Sequence, residues 1–121
     1  MTDELKQDFE SGMVKHLLFK SKLRSYLYGS KINPGPIRDP AQCAFGAWIQ
    51  ERALGAYAHL SESRELDHLH TLIHREASRL MDMHERGETE QALAGLSAVE
   101  KMANQLTLLL RTMEQKLRTG F

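Results

Sequence analysis

The chain has 121 residues, 41% hydrophobic and 26% charged, a balance typical of one globular domain with a buried core. Its 16 lysines and arginines equal its 16 aspartates and glutamates, so no net basic field exists to attract nucleic acid or an anionic membrane surface. No apolar run approaches the roughly 18 residues of a membrane span, and the first residues show no secretory signal. Together with the single cysteine, these features predict a soluble, cytoplasmic protein with one domain over residues 1–121.

The first predicted helix runs from about Asp3 to Tyr28 and ends at Gly29, where glycine permits the left-handed backbone of a helix terminus. Spacings of three and four favour an amphipathic helix. The inward-facing series is Phe9, Met13, His16, Leu17, Leu23 and Leu27. All three prolines then lie between Pro34 and Pro40, which predicts a structural interruption.

A short second helix is predicted from the pair Asp39-Pro40 to about Ala53, stopping near Gly55. Asp39 is a favoured N-cap residue, and proline is pre-shaped for the first helical position. Cys43 would then lie in or just after the first turn, where the positive end of the helix dipole favours a thiolate.

Two further helices are predicted, one from Ser61 or Ser63 to Gly87 and one from about Glu88 to Arg118. The apolar face of the third helix is formed by Leu66, Leu69, Ile73, Ala77, Leu80 and Met81. That of the fourth is formed by Ala92, Leu96, Val99, Ala103, Leu106, Leu110, Met113 and Leu117.

The predicted fold class is all-α, because no segment alternates with a period of two. Three long helices, one short helix and brief connections favour an antiparallel four-helix bundle. Leu108, Leu109 and Leu110 make the apolar surface of the last helix wider than a single face. This extra width indicates self-association.

Cys43, His16, His70 and His74 together make a complete tetrahedral zinc shell of one thiolate and three imidazoles. His70 and His74 are four residues apart, so they project from one face of a helix on successive turns. Taken singly, a histidine such as His16 is more often a hydrogen-bonded core or boundary residue, and a cysteine such as Cys43 is most often a small buried hydrophobic residue. Together, however, the four residues supply all the ligands of a tetrahedral zinc ion, and this favours a metal site.

The other three histidines serve as internal controls. His68 is expected to face away from His70, and His59 to lie in a connection between helices. His84 continues the face of the third helix, but ten residues from His74 correspond to about 15 Å along the axis. None of the three is therefore a predicted ligand.

These residues resemble the chemoreceptor zinc-binding domain family. The family pattern is a histidine in the first helix, then Cys-x-[Leu/Phe]-Gly-x-Trp, then His-x-x-x-His. The chain matches it with His16, residues 43–48 and residues 70–74, in the same order and at compatible spacing. One departure is Phe19, at a place where the family often has tryptophan, and it concerns packing rather than metal binding.

The resemblance implies a homodimeric four-helix bundle that binds Zn²⁺ through His16, Cys43, His70 and His74. In the family the domain regulates a chemotaxis receptor or a diguanylate cyclase, in cis or in trans. Zinc occupancy, or oxidation of the cysteine by hypochlorous acid, changes the output. The resemblance therefore implies a sensor rather than an enzyme. The charge balance and the lack of a long apolar run predict neither nucleic-acid binding nor membrane insertion.

Two other functions remain open from the residues themselves. A thiol enzyme would use Cys43 as nucleophile with His16 or His70 as base, although no oxyanion motif is recognisable. A metal-free helical interaction or dimerisation module would use the same apolar faces without any ligand. Zinc content separates the sensor from both alternatives, because neither alternative requires zinc. Four protein ligands would moreover close the zinc shell and leave no open position for catalysis.

Overall fold

The computed structural model describes residues 2–120, and this range consists of helices, turns and short connections without a strand. The helices are α1 (Thr2–Leu27), α2 (Gly35–Arg38), α3 (Ala44–Trp48), α4 (Ser61–Glu85), α5 (Thr89–Ala94) and α6 (Leu96–Arg118). A 3-10 turn, Pro40–Gln42, precedes α3, and a π-helix, Ile49–Ala56, follows it. The predicted all-α class is confirmed, and none of the helices in the described range combines the length and apolarity of a membrane span.

The predicted ends of α1 and α4 are confirmed at their glycines. Gly29 follows α1 with a φ of 98°, and Gly87 follows α4 with a φ of 86°. Both values lie in the left-handed region, which glycine enters without the steric cost that other residues meet. Two long helices of the molecule are therefore terminated by a local signal that the sequence carries.

The segment between α1 and α4 differs from its prediction in two ways. The proline cluster, predicted as an interruption, contains the four-residue helix α2. The single short helix predicted from Pro40 to Ala53 is instead a 3-10 turn, α3 and a π-helix that ends at Ala56. Asp39 does act as the predicted N-cap, since its side chain accepts a hydrogen bond from the Ala41 N–H at 2.9 Å. The helix breaks at Cys43, whose backbone is extended, with φ of −81° and ψ of 132°.

The predicted fourth helix is divided into α5 and α6 at Gly95. A Cβ at this position would lie 2.3 Å from Cδ2 of Leu80 on α4. Glycine thus allows a close approach to α4, and it also has a low helix propensity. The prediction of one continuous helix was wrong because periodicity alone does not reveal this contact.

The core lies where α4 packs against α5 and α6 and where α1 packs against α3. The predicted inward faces are largely confirmed, with one exception on α1. Leu17 is 53% exposed, because the turn that buries His16 points the next residue about 100° away. Leu108 is 61% exposed while Leu110 is buried, so the apolar surface of α6 extends beyond its core face as predicted.

A polar cluster around Asp8 joins α1 to the segment that carries Cys43. The Asp8 carboxylate accepts hydrogen bonds from Trp48 Nε1 at 3.0 Å, from Arg52 Nε at 2.7 Å and from the Tyr57 hydroxyl. Phe9 packs edge-to-face on Trp48 and stacks on Tyr57. Burial alone would raise the pKa of Asp8, but the hydrogen bonds from Tyr57, Arg52 and Trp48 hold it below its ordinary value. The cluster therefore holds a charged acceptor at neutral pH.

Replacing Asp8 by alanine is expected to destabilise the protein by about 2–3 kcal/mol, because three donors lose a charged acceptor. Urea unfolding followed by circular dichroism measures the change. Glu10→Ala serves as control, since Glu10 is 62% exposed and pairs with Lys6 only at 4.0 Å. The control should remain within about 0.5 kcal/mol of the parent. Equal stability of both variants would contradict the prediction.

Candidate metal centre

Cys43 occupies the N-cap position of α3 and is 4% exposed. Its own N–H donates to the Pro40 carbonyl at 3.3 Å, and its carbonyl accepts from the Ala47 N–H at 3.1 Å. The 3-10 turn before it and the helix after it thus position its side chain from both sides. The predicted place, in or just after the first turn, is corrected to the residue immediately before α3.

His70 and His74 lie one turn apart on α4 and are 2% and 1% exposed. Their Nε2 atoms are 2.9 Å apart, and Nδ1 of His74 lies 2.6 Å from the Ile37 carbonyl oxygen. Because a carbonyl only accepts, His74 carries its proton on Nδ1. Its Nε2 therefore accepts from His70 Nε2–H and presents its lone pair toward the cluster.

The ligand atoms of Cys43, His70 and His74 all lie within 4.8 Å of one another, and all three residues are buried. Two nitrogens bound to one tetrahedral zinc at about 2.0–2.1 Å are separated by about 3.3 Å. The 2.9 Å between the two Nε2 atoms is close to this value. A thiolate with imidazoles is moreover a donor set that zinc favours. The chain thus assembles three donors at a spacing that fits one metal ion.

His16, the fourth predicted ligand, is buried on α1 but lies outside this three-residue group. The Phe45 ring is 5.4 Å from the His16 ring and 5.3 Å from the His70 ring, measured between centroids. Among the residues that the structure describes, Nε2 of His16 has no hydrogen-bond partner. Leaving such a buried atom unpaired costs about 1–3 kcal/mol, which a bound ligand would recover. The structure therefore brings together three of the four predicted residues and leaves the fourth with a free donor atom.

The three histidines are held neutral by burial. Burial lowers the pKa of His16 to about 4, with a further contribution from Lys20. Burial also lowers the pKa of His70 to about 3, with contributions from His74 and His16. For His74 burial lowers the pKa, while the hydrogen bond to the Ile37 carbonyl opposes the change. Neutral imidazoles are the form that binds metal ions.

These shifts predict that the metal-free protein loses stability in mild acid. An unfolded histidine binds a proton below about pH 6.5, whereas folded His16 and His70 stay neutral until about pH 4 and about pH 3. The unfolded state thus binds more protons, so the free energy of unfolding falls as the pH drops from 6.5 toward 4. Urea unfolding at a series of pH values measures the slope. A His16→Phe variant should show a shallower slope, and an equal slope would contradict the assignment.

The other histidines behave as the controls predicted. His68 is exposed on α4, and His59 is exposed in the turn before it. His84 Nδ1 lies 3.0 Å from the Thr89 hydroxyl, and its ring packs on Tyr26. None of them joins the group formed by Cys43, His70 and His74 in the described range.

Sequence reasoning missed one member of this site, the backbone carbonyl of Ile37. Histidines that bind metals commonly donate their second ring N–H to a carbonyl or carboxylate. Every residue has a backbone carbonyl, so this contact cannot be predicted from the type of residue in the sequence. The only signal was the proline cluster, which indicated an unusual backbone without saying where it would lie.

A cavity of about 470 Å³ opens beside the cluster on the solvent side. Its lining combines the 3-10 turn and the start of α3 with one face of α4. The residues are Asp39, Pro40, Ala41, Gly46, Ala47, Gln50, Asp67, His70 and Thr71. His70 thus borders a space that reaches solvent although its own ring is buried.

The fold and the cluster define an all-helical domain with a buried cysteine and histidines suited to holding a metal ion. The model of the chemoreceptor zinc-binding domain family matches residues 16–81, more than half of the chain. The chain belongs to this family, which is regulatory and sensory rather than catalytic. No curated protein and no solved structure gives a significant match. The resemblance stated from the sequence motifs is therefore confirmed.

Proposed function

We propose that the chain is a zinc-binding sensory module whose ligands are His16, Cys43, His70 and His74. The observation that carries the proposal is the approach of the Cys43, His70 and His74 donor atoms to within 4.8 Å in a buried setting. The unpartnered Nε2 of His16 supplies a fourth donor. A bound zinc ion would hold the Cys43 sulfur as a thiolate and join α1, α3 and α4.

Four protein ligands close a tetrahedral zinc shell, whereas catalytic zinc keeps a position for water or substrate. The proposed role is therefore regulatory, and we propose that the chain is not an enzyme. Cys43 is the single thiolate of the site and lies at the start of α3, a helix of five residues. Releasing it would break the zinc-mediated link between the start of α3 and helices α1 and α4, and a small element that can change in this way is able to carry a signal.

Oxidation of Cys43 is the second proposed input. Hypochlorous acid transfers its oxygen to the Cys43 thiolate: an S–O bond forms, the O–Cl bond breaks, and chlorine leaves as chloride. Sulfur loses two electrons and chlorine gains them, so the product is a sulfenic acid. A sulfenic acid is a poorer metal ligand than a thiolate, because the thiolate is the form that binds metal. Zinc loss and thiol oxidation would thus produce the same released state.

We further propose that residues 1–121 form one domain, an antiparallel four-helix bundle that pairs with a second copy in the cytoplasm. Its output would be a chemoreceptor signalling domain or a diguanylate cyclase, in cis or in trans, as the family implies. Apolar side chains that are more than half exposed support the pairing. They are Val14, Leu17 and Leu18 on α1 and Leu108 on α6.

Elemental analysis of freshly purified protein tests the zinc assignment. About one zinc per chain is expected, with a melting temperature that falls when a strong chelator removes the metal. At a free zinc concentration of 100 times Kd, binding to the folded state alone adds about 2.7 kcal/mol. Protein without zinc, and with a melting temperature unaffected by added zinc, would instead indicate a metal-free interaction module. Rapid alkylation of Cys43 together with substrate turnover would indicate a thiol enzyme.

A further inference from the structure

His74 can serve a metal only if its ring keeps one tautomer and one orientation. The ring is 1% exposed, and its Nδ1–H donates to the Ile37 carbonyl at 2.6 Å. This bond leaves Nε2 unprotonated and directed at His70 Nε2, which is 2.9 Å away. The position of one backbone carbonyl therefore determines how His74 presents its donor atom.

The Ile37 carbonyl belongs to α2, and four residues are too few for a helix to be stable on its own. Its position depends on what attaches α2 to the rest of the fold. The Ile37 side chain is fully buried, which provides one attachment. The neighbouring residue Arg38 provides another, because its guanidinium reaches across to α4, the helix that carries His74.

Arg38 makes several close polar contacts with one face of α4. Nη1 lies 2.9 Å from Asp82 Oδ1 and 2.9 Å from the Ser78 hydroxyl, and Nη2 lies 2.9 Å from Glu85 Oε2. The Tyr26 hydroxyl, near the end of α1, donates to the same Glu85 oxygen at 2.5 Å. One arginine thus fastens α2 to α4 within a network that also includes α1.

We propose that Arg38 is a positioning residue for the metal centre, acting through the Ile37 carbonyl on the tautomer and orientation of His74. The inference rests on the zinc-binding function proposed above and adds a residue outside the ligand set. A purely structural Arg38 would contribute to the free energy of unfolding but would leave the zinc affinity of the folded protein nearly unchanged. Loss of an outer partner of a metal-binding histidine typically lowers affinity by about 10- to 100-fold.

The test compares Arg38→Met with Arg79→Met in the full chain. Arg79 also pairs with a carboxylate of α4, Glu76, at 2.7 Å, and this ion pair lies entirely within α4. Zinc affinity is measured by competition with a chromophoric chelator. Arg38→Met should bind zinc at least about tenfold more weakly than the parent, Arg79→Met should match the parent, and Arg38→Lys should recover part of the loss.

A second readout follows His74 in the metal-free protein. Imidazole ¹⁵N chemical shifts at pH above 7 report which ring nitrogen carries the proton. The parent should show His74 protonated on Nδ1, and Arg38→Met should show a mixture of tautomers. If Arg38→Met does not fold, Asp82→Ala removes one carboxylate partner of the guanidinium and should produce the same two changes in smaller degree.

Unchanged zinc affinity together with an unchanged His74 tautomer in the Arg38 variants would overturn the proposal. Failure of the zinc function itself would look different, because the parent would then bind no zinc at all. In that case the tautomer measurement would show only that Arg38 orders α2. The inference about the metal centre would then be refuted together with the proposed zinc-binding function.

Discussion

Replacing Cys43 by alanine is expected to lower zinc affinity by more than about 100-fold, and His70→Ala should do the same. Changes to outer partners of a metal site already cost about 10- to 100-fold, and removing a ligand costs more. Both residues belong to the group whose donor atoms lie within 4.8 Å of one another. Isothermal titration or chelator competition measures the affinity, and elemental analysis measures the stoichiometry.

His68→Ala is the matched control for these variants. His68 lies on the same helix only two residues from His70, yet it is exposed and outside the group. It should bind zinc as the parent does. His16→Ala then separates a three-ligand from a four-ligand site: a large loss supports the closed shell, and parental affinity would remove His16 from the ligand set. Equal zinc binding by all four variants would refute the site.

Replacing Gly46 by alanine is expected to destabilise the protein by about 1–3 kcal/mol and to weaken zinc binding. An added Cβ would lie 2.2 Å from the Pro40 carbonyl oxygen and 3.2 Å from Cε1 of His70. The first contact is with backbone of the 3-10 turn that precedes Cys43, so the turn must shift. The second presses on a proposed ligand. Urea unfolding and zinc competition measure the two effects.

Gly55→Ala provides the comparison, because Gly55 also lies in a helical segment but an added Cβ would meet only the Gln50 carbonyl oxygen at 3.7 Å. Glycine in a helix costs about 1 kcal/mol relative to alanine, so this variant should be neutral or more stable. Opposite signs at the two glycines are the expected result. Destabilisation of the same size at both would show that helix geometry, rather than the close approach, is responsible.

The long helices could be predicted because their signals are local. The spacing of apolar residues and the glycines after α1 and α4 both act within a few residues along the chain. Segment 35–56 was predicted less well, since its short helices, 3-10 turn and π-helix are held by contacts with other parts of the fold. Gly95 shows the same limit, because its closest neighbour is Leu80 on another helix.

The sequence by itself determined the family, the helical class and the candidate donors, since Cys43, Gly46, Trp48 and the pair His70 and His74 are recognisable from residue type and spacing. Only the tertiary structure decided which donors meet. It placed Cys43, His70 and His74 together and left His16 with an unpaired nitrogen outside that group. It also directed a backbone carbonyl at His74, a contact made by an atom that every residue carries. The residue types thus identify the candidate metal ligands. The distances between their donor atoms depend instead on how helices far apart in the chain pack together.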